Sequence, residues 1–176
     1  MSRFELMPLI LFALALVVIT EAGASAKGCC LAAGTRISTM RNDGSYTTLP
    51  IERIRIGDTV LSYCVEQGEV ISSRVIGISA GFAWHVNRIT VTTESGVSLI
   101  VSITDEHPLL GEGRCWMKAG DLNVGDHLIS LDGKLRVSSI KRSVGFFPVF
   151  NLAVENGNYV ISTESGVTII ARDSQR

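Results

Sequence analysis

The sequence lacks several features that mark common classes of protein. Its 16 Lys and Arg and 17 Asp and Glu residues give a formal charge of -1 and form no basic stripe, which argues against a nucleic-acid binder. It has no low-complexity tract and is 46% hydrophobic, so it is not a disordered chain. No Cys-x-x-Cys or His-x-x-x-His pair occurs. We therefore expect neither a metal nor a cofactor.

Helical periodicity is also missing beyond the N-terminus. After residue 26 no window longer than two helical turns keeps an apolar face, and single turns are expected only at residues 50–54 and 118–122. Short β-branched runs alternate instead with turn pairs such as Asn156-Gly157, which is typical of strands joined by hairpins. The 176 residues suffice for one ordinary domain. The sequence therefore predicts an all-β fold.

The first 26 residues have the order of an export signal. Residues 6–19 are apolar and uncharged, Arg3 precedes them, and small residues occupy positions 22–26. As a helix this run would span about 21 Å, less than a hydrocarbon core of roughly 30 Å. We predict a signal peptide over residues 1–26, cleaved after Ala26, and a secreted protein without a stable membrane span. An uncleaved membrane anchor and a lipoprotein acylated on Cys29 are the alternatives, and Lys27 argues against the second.

Four cysteines and three histidines are the remaining reactive side chains. In an exported chain an even number of cysteines suggests disulfides, and four cysteines allow three pairings. Cys64 and Cys115 are predicted to form a disulfide or to be buried thiols rather than catalytic groups. His85 and His127 are expected at the surface or in turns.

The sequence repeats itself loosely. Residues 56–62 match residues 124–130 at an offset of 68, and Thr-Glu-Ser-Gly-Val occurs at both 93–97 and 163–167. A weaker match relates residues 89–91 to 152–154 at an offset of 63. Two copies are too few for a solenoid, so we infer one fold whose two halves are related by a pseudo-twofold axis. Chance recurrence of turn residues is the alternative.

Three short motifs carry a resemblance to a known family. Residues 30–35 are Cys-Leu-Ala-Ala-Gly-Thr, residues 104–109 are Thr-Asp-Glu-His-Pro-Leu, and residues 149–155 are Val-Phe-Asn-Leu-Ala-Val-Glu. Over residues 30–173 the chain resembles the Hint family, the self-processing domains of hedgehog proteins, inteins and bacterial intein-like proteins. The hedgehog-type and bacterial intein-like members are the most similar in pattern. The resemblance implies a horseshoe-shaped β fold, with a short upstream segment at 27–29 and a tail at 174–176.

Thiol chemistry and the resemblance indicate the same reaction. The Cys30 sulfur can attack the carbonyl of the preceding Cys29 and convert the Cys29–Cys30 peptide into a thioester, because that carbonyl lies within reach. The resemblance implies that His107 protonates the leaving nitrogen and that Thr104 hydrogen-bonds the scissile peptide and helps to distort it. An imidazole can donate a proton near neutral pH. Cys29 is the rival nucleophile.

The resemblance also has gaps that limit the predicted reaction. Splicing inteins end in His-Asn, which residues 166–173 lack, and Asn151 stands where many inteins have an acidic residue. No sterol-recognition extension is recognisable, and no residue matches the acid that activates the sterol in hedgehog proteins. We therefore expect a single-turnover self-cleavage without splicing, in which the substrate is the chain's own N-terminal segment and the acceptor is water or a small nucleophile.

Two other functions remain open at this stage. The first is a non-catalytic, disulfide-bonded, secreted β domain that binds a partner, since a fold does not guarantee its chemistry. The second, weaker alternative is a papain-like cysteine hydrolase, a fold whose helical half the sequence does not offer. In each case a monomer is expected.

Overall fold

Strands dominate the structure. The computed structural model describes residues 28–41, 43–163 and 165–173, so the predicted signal peptide and the tail at 174–176 lie outside the described residues. No helix in the described ranges could cross a membrane. The strands there are β1 (Leu31–Ala32), β2 (Arg36–Met40), β3 (Tyr46–Pro50), β4 (Thr59–Cys64), β5 (Glu69–Thr92), β6 (Ser98–Ile103), β7 (Pro108–Leu110), β8 (Trp116–Lys118), β9 (His127–Ser130), β10 (Gly133–Val154), β11 (Asn158–Ser162) and β12 (Thr168–Arg172). The all-β prediction is confirmed.

The predicted helical turns are present as 3-10 turns. Ile51–Arg53 and Ala119–Asp121 each make one such turn, within the two windows expected from the sequence. A third turn, Glu112–Arg114, was not predicted. Two of its residues have positive φ angles, Gly113 at 77° and Arg114 at 61°. A positive φ is uncommon for a residue other than glycine, so no pattern in the sequence predicts this turn.

Two long antiparallel strands, β5 and β10, organise the domain. Val75 to Thr92 of β5 pair with Val154 to Arg136 of β10, and the register shifts at three places along the two strands. The first residues of β5 pair with β4 and its last residues pair with β6, so this strand passes from one part of the sheet to another. The hydrogen-bonded order is β8-β7-β12-β11-β2-β4-β5-β6-β1-β10-β9, with β3 added beside β2. The sheet thereby folds around one main cluster of buried Ile, Leu and Val side chains.

The two halves of the chain repeat the same Gly-Asp turn. The N–H groups of Gly57 and Gly125 each donate to a strand carbonyl at 2.8 Å, and the two glycines have φ values of 96° and 105°. Only glycine adopts such values without strain. The carboxylates of Asp58 and Asp126 each accept a hydrogen bond from the backbone N–H three residues earlier, at 2.8 and 2.7 Å. The offset of 68 in the sequence is therefore a repeat of local structure.

The identical pentapeptides also occupy equivalent turns. The turn at 93–97 joins β5 to β6 with Thr92 opposite Ser98, and the turn that begins at Thr163 joins β11 to β12 with Ser162 opposite Thr168. The match of residues 89–91 to residues 152–154 is also borne out, at the ends of β5 and β10. Val75 and Val137 each accept a hydrogen bond from the glycine of a Gly-Asp turn, and they pair with Val154 and Val91, respectively. Residues 152–154 end β10, and the strand that enters the second turn is β11, at an offset of 70. The additional turn after β10 separates the two.

The repeat leads to a prediction about stability. We expect Asp58→Ala and Asp126→Ala each to lower the free energy of unfolding by about 1 kcal/mol, since each removes the acceptor of one backbone N–H. The two losses should add, because the turns lie in different halves. Urea unfolding measures this. Asp58→Asn and Asp126→Asn, which keep an acceptor oxygen, are the controls, and a cost confined to one half would contradict the equivalence.

Candidate active site

One hydroxyl group holds the backbone on both sides of Cys29. Thr104 Oγ1 accepts a hydrogen bond from the N–H of Cys30 at 2.8 Å. Its own proton lies within reach of the carbonyl oxygens of Gly28, at 2.9 Å, and Cys30, at 3.1 Å. Because a single oxygen bridges Gly28 and Cys30, the chain bends tightly at Cys29. The Cys29–Cys30 peptide bond lies in this bend.

Strand pairing brings Thr104 to this position. Leu31 in the two-residue strand β1 lies opposite Ile103, the last residue of β6, and also opposite Phe150 of β10. The pairing continues one step further, where the Thr104 N–H donates to the Cys30 carbonyl at 2.9 Å. Leu31 and Ile103 are both fully buried. The residues beside the scissile peptide are therefore fixed by the core of the domain.

A 3-10 turn holds the loop that follows Thr104. The N–H of Ala119 donates to the His107 carbonyl at 2.9 Å, and the N–H of Gly120 donates to the Asp105 carbonyl at 2.8 Å. A side chain at Gly120 would place its Cβ 3.0 Å from the Cβ of Asp105, so glycine permits this close approach. This contact fixes the loop and orients His107 inward.

The imidazole of His107 is completely buried and only partly hydrogen-bonded. Its Nε2 has a long contact of 3.4 Å with the hydroxyl of Tyr159, and that hydroxyl donates to Asn151 Oδ1 at 3.2 Å. Its Nδ1 has no hydrogen-bond partner. The hydroxyl proton of Tyr159 is donated to Asn151, so the Tyr159 oxygen can only accept from His107 Nε2. Both hydrogen bonds of the hydroxyl therefore form when the neutral ring carries its proton on Nε2. Nδ1 then keeps a free lone pair.

Burial keeps both His107 and Cys30 uncharged. Desolvation lowers the pKa of His107 to about 4, and the adjacent backbone of Cys29 acts in the opposite direction. Desolvation, with a smaller contribution from Cys29, raises the pKa of Cys30 to about 11. At neutral pH the resting site therefore contains a thiol and a neutral imidazole rather than an ion pair. The His107 ring is therefore close enough to the Cys29 backbone, in the predicted scissile peptide, to be affected by it.

Cys29 is held differently from Cys30. Its thiol is half-buried and donates to the carbonyl of Glu106 at 3.0 Å. Burial, and then the Glu106 carboxylate, raise the pKa of Cys29 above the ordinary value of a thiol. Glu106 itself forms an ion pair with Lys118 at 2.7 Å. The side chain of Cys29 is therefore bonded to the 104–107 loop.

A polar cluster borders the same loop. Asp105 accepts a hydrogen bond from Asn87 at 2.6 Å and contacts the ring of His85 at 2.9 Å. Arg142 lies 3.7 Å from the same carboxylate. The contact with His85, and then that with Asn87, lower the pKa of Asp105. His85 is thus a partly exposed strand residue bonded to the loop.

The cysteine pairing expected from the sequence is not present. All four thiols are free in the structure. Cys64 is partly exposed and faces Glu66 of its own hairpin, and exposed Cys115 donates to the Glu112 carbonyl of its own turn at 3.1 Å. Each of the two thiols therefore contacts its own loop, and neither is buried. Among the described residues no cluster of His, Cys, Asp or Glu could hold a metal ion.

The structure brings together Cys29, Cys30, Thr104 and His107, the four residues selected from the sequence. It adds Tyr159, which sequence reasoning missed. A tyrosine beside the Asn-Gly turn gave one signal, since a buried phenol needs a polar partner. The partner itself, His107, is 52 residues away in the chain and only the fold reveals it.

The geometry agrees with what the sequence matches among known proteins. Residues 42–168 match the pretoxin HINT domain, which is most of the chain and includes Thr104 and His107. The chain belongs to the pretoxin HINT domain family. The matched span of the HINT domain begins after Cys30, so the family match by itself does not cover the predicted nucleophile. None of the curated proteins matches the chain.

Solved structures share the fold of this HINT domain over nearly their whole length. A bacterial intein-like domain from Clostridium thermocellum is 25% identical, with 82% of this chain and 98% of that one covered and a TM-score of 0.68. An intein from a hyperthermophile is 19% identical, with 83% and 100% covered and a TM-score of 0.68. A DnaB intein from Synechocystis sp. PCC 6803 is 16% identical, with 82% and 99% covered and a TM-score of 0.61. The fold is thus that of self-processing domains, which act on their own chain.

Burial of His107 predicts an acid-sensitive stability. Its folded pKa of about 4 lies below the ordinary 6.5, so the unfolded chain takes up a proton first as the pH falls. Between pH 7 and pH 4 the HINT domain should lose about 3 kcal/mol of stability through this group. His107→Gln should lack that loss, as urea unfolding at several pH values would show. The exposed His127→Gln is the control, and equal pH dependence in wild type and His107→Gln would contradict the prediction.

Proposed function

We propose that this domain cleaves its own chain at Cys29–Cys30 through an N-to-S acyl shift at Cys30. The observation that carries the proposal is the hydrogen bond from the Cys30 N–H to Thr104, beside the buried imidazole of His107. The nitrogen that must leave is thereby held by a hydroxyl, and a base with an unpaired Nδ1 lies next to the same peptide. Nucleophile, leaving group and proton carrier occur together.

The proposed first step exchanges one acyl bond for another. The Cys30 sulfur forms a bond to the carbonyl carbon of Cys29, and the bond from that carbon to the Cys30 nitrogen breaks. The thiol proton is transferred to the departing nitrogen, so the step is an isomerisation from amide and thiol to thioester and amine. The hydrogen bonds of Thr104 support this step, since they hold the leaving nitrogen in a fixed position beside the thiol of the same residue.

The pKa values change the role that the sequence suggested for His107. A ring with a pKa of about 4 is neutral at pH 7, so the Nδ1 atom that faces no partner carries no proton to donate. The proton on the leaving nitrogen must therefore come from the Cys30 thiol, and Nδ1 accepts it before passing it on. His107 acts first as base and then as acid in this scheme. Tyr159 and Asn151 position the ring, because they retain the proton of Nε2 on the opposite side.

Resolution of the thioester by water or a small nucleophile completes the proposed reaction. Splicing would require a side-chain amide at the end of the domain to cyclise. Residues 166–173, where the His-Asn motif of splicing inteins is expected, contain neither residue, and the Asp173 carboxylate accepts a hydrogen bond from the Val154 N–H at 3.1 Å. This supports cleavage without splicing. The free thiols at Cys29 and Cys30 weigh against the alternative of a disulfide-bonded binding domain. Secretion remains a prediction from the N-terminal sequence.

A tagged precursor tests the proposed nucleophile. In a chain extended upstream by a folded tag, we expect hydroxylamine or dithiothreitol to release the tag from wild type, because either reagent resolves a thioester. Cys30→Ala should abolish release. Thr104→Val should slow it by about 10²-fold or more, and Thr104→Ser should retain most of it, since the serine keeps the hydroxyl. Intact mass of the released domain, beginning at Cys30, is the measurement.

Two matched cysteine variants provide the controls for this test. Cys29→Ser and Cys115→Ala should still release the tag, since neither removes the attacking sulfur. Release from wild type no faster than from Cys30→Ala would exclude the acyl shift. Loss of release in Cys29→Ser with retention in Cys30→Ala would transfer the nucleophile's role to the neighbouring cysteine.

The pH dependence of release tests the protonation states. Because the thiol proton passes through His107 to the leaving nitrogen, the reacting form is the thiol together with the neutral imidazole. This form predominates between the pKa of about 4 for His107 and the pKa of about 11 for Cys30. We therefore expect the rate of release in saturating hydroxylamine to be nearly independent of pH between pH 6 and pH 9. A rate that rises about tenfold per pH unit would show that a thiolate deprotonated by the solvent attacks, and that His107 is not its base.

A further inference from the structure

The β5–β10 ribbon carries an exposed apolar patch that the proposed reaction does not use. Phe82, Trp84, Val144 and Phe146, here called the ribbon patch, have 48%, 69%, 84% and 59% of their surface exposed. The rings of Phe82 and Phe146 stack at 4.3 Å, and Trp84 meets the edge of Phe146 at 5.4 Å. The three rings are therefore a preformed cluster rather than separate side chains, and Val144 lies nearby on β10, opposite His85.

A bulge in β10 assembles the ribbon patch. Between Val144 and Phe147 the strand contains one more residue than β5 has opposite it, and this brings Phe146 beside Trp84. Ala83 and Phe147 pack against Cys30 instead. The ribbon thus supports the active site with some of its side chains and presents the ribbon patch with the neighbouring ones. An occupant of the patch would not need to displace Cys30.

Further exposed apolar side chains precede the ribbon patch on β5. Ile76 and Ile78, which precede Phe82 at every second position of β5, are 54% and 36% exposed. Elsewhere in the described chain, exposed apolar side chains such as Ile100 and Val124 lie on separate elements. Single exposed apolar side chains are ordinary, but a contiguous cluster marks an interaction surface.

The ribbon is also the most cationic part of the chain. Its two strands contain six Lys and Arg residues and one acidic residue, although the whole chain has 16 and 17. The charged residues are Arg74, Arg88, Lys134, Arg136, Lys141, Arg142 and Glu69. Arg88 and Lys141 lie directly opposite each other, and such a like-charge pair is destabilising unless an anion neutralises it. Two of the six cations, Lys134 and Arg142, form ion pairs with Glu112 and Asp105. Charge and hydrophobicity therefore occur together on one ribbon, chiefly through the other four cations.

We propose that the ribbon patch docks on an anionic lipid bilayer. Aromatic rings at the level of the headgroups, with neighbouring Lys and Arg on anionic lipids, are the arrangement by which peripheral proteins bind membranes. The aliphatic Val144, Ile76 and Ile78 suit the acyl boundary. Docking would place the self-processing site at a membrane surface, while its own chemistry stays unchanged.

Two other occupants fit the surface less well. Single-stranded nucleic acid needs free ring faces for base stacking, and Phe82 and Phe146 already stack on each other. A second copy of the chain would bring two cationic ribbons together, and their repulsion disfavours that contact. A bilayer matches both the apolar cluster and the surrounding charge.

The fluorescence of Trp84 tests the proposal directly. The chain has two tryptophans, and Trp116 on β8 lies under the guanidinium of Arg172. In full-length Cys30→Ala/Trp116→Phe, vesicles of phosphatidylglycerol and phosphatidylcholine should shift the Trp84 emission to the blue, and brominated lipids should quench it. Pure phosphatidylcholine should bind at least tenfold more weakly. In Cys30→Ala/Trp84→Phe, the emission of Trp116 should not change. Because the probe is in the ribbon, binding through the N-terminal apolar run alone would leave both signals unchanged.

Point variants separate the contribution of the apolar ribbon patch to lipid binding from that of the neighbouring cations. Phe146→Ser should weaken the Trp84 response by on the order of tenfold, and Ile100→Ser, an equally exposed site on β6, should leave it intact. Arg88→Glu/Lys141→Glu should reduce binding to anionic vesicles but not to neutral ones. An unchanged Trp84 spectrum with vesicles would overturn the proposal. Equal binding to both lipids, a response to oligonucleotide alone, or a dimer that shields Trp84 would overturn it as well. Since no readout requires cleavage, failure here is distinct from failure of the self-cleavage proposal.

Discussion

The bridge from Thr104 to Gly28 and Cys30 is the interaction on which the rest of the site depends. One oxygen accepts the N–H of Cys30 and donates back across Cys29, so the scissile peptide has a fixed position before any chemistry begins. A hydroxyl can do this only if its backbone is rigid, and the pairing of β1 with β6 supplies that rigidity. A strand of two residues would be unstable alone. It persists here because Leu31 is buried between two longer strands.

The same core that positions the site also keeps it uncharged at rest. Burying His107 costs stability whenever the ring would otherwise be protonated, and burying Cys30 makes its thiolate unfavourable. A charged pair would hold the resting geometry more strongly, but it would require the domain to bury two ions. In the structure the neutral ring of His107 contacts the hydroxyl of Tyr159 through Nε2, and its Nδ1 has no hydrogen-bond partner. An orphaned buried nitrogen is costly in a merely structural histidine, and it is a requirement for one that must accept a proton.

Sequence reasoning succeeded where local chemistry determines the structure. The Gly-Asp turns, the identical pentapeptide turns and two of the three 3-10 turns follow from residues a few positions apart, and these were predicted. It failed where distant packing decides. Tyr159 was overlooked because its partner His107 is remote in the chain. Cys64 and Cys115 were paired by counting, and thiol orientation depends on loops that counting does not describe.

The ribbon shows how one pair of strands can meet two independent demands. Folding requires only the side chains that reach the core, and in β5 and β10 those include Ala83 and Val149, packed around Cys30. The outward positions are unconstrained by that packing, so polar residues would serve stability equally well there. Exposed aromatic clusters on long strands promote aggregation, and natural proteins counter this with charge. The excess of Lys and Arg on the same strands supplies such repulsion between copies while it leaves the surface attractive to anions. Because solubility alone would be met more simply by removing the aromatic residues, the combination is better explained by an occupant than by folding.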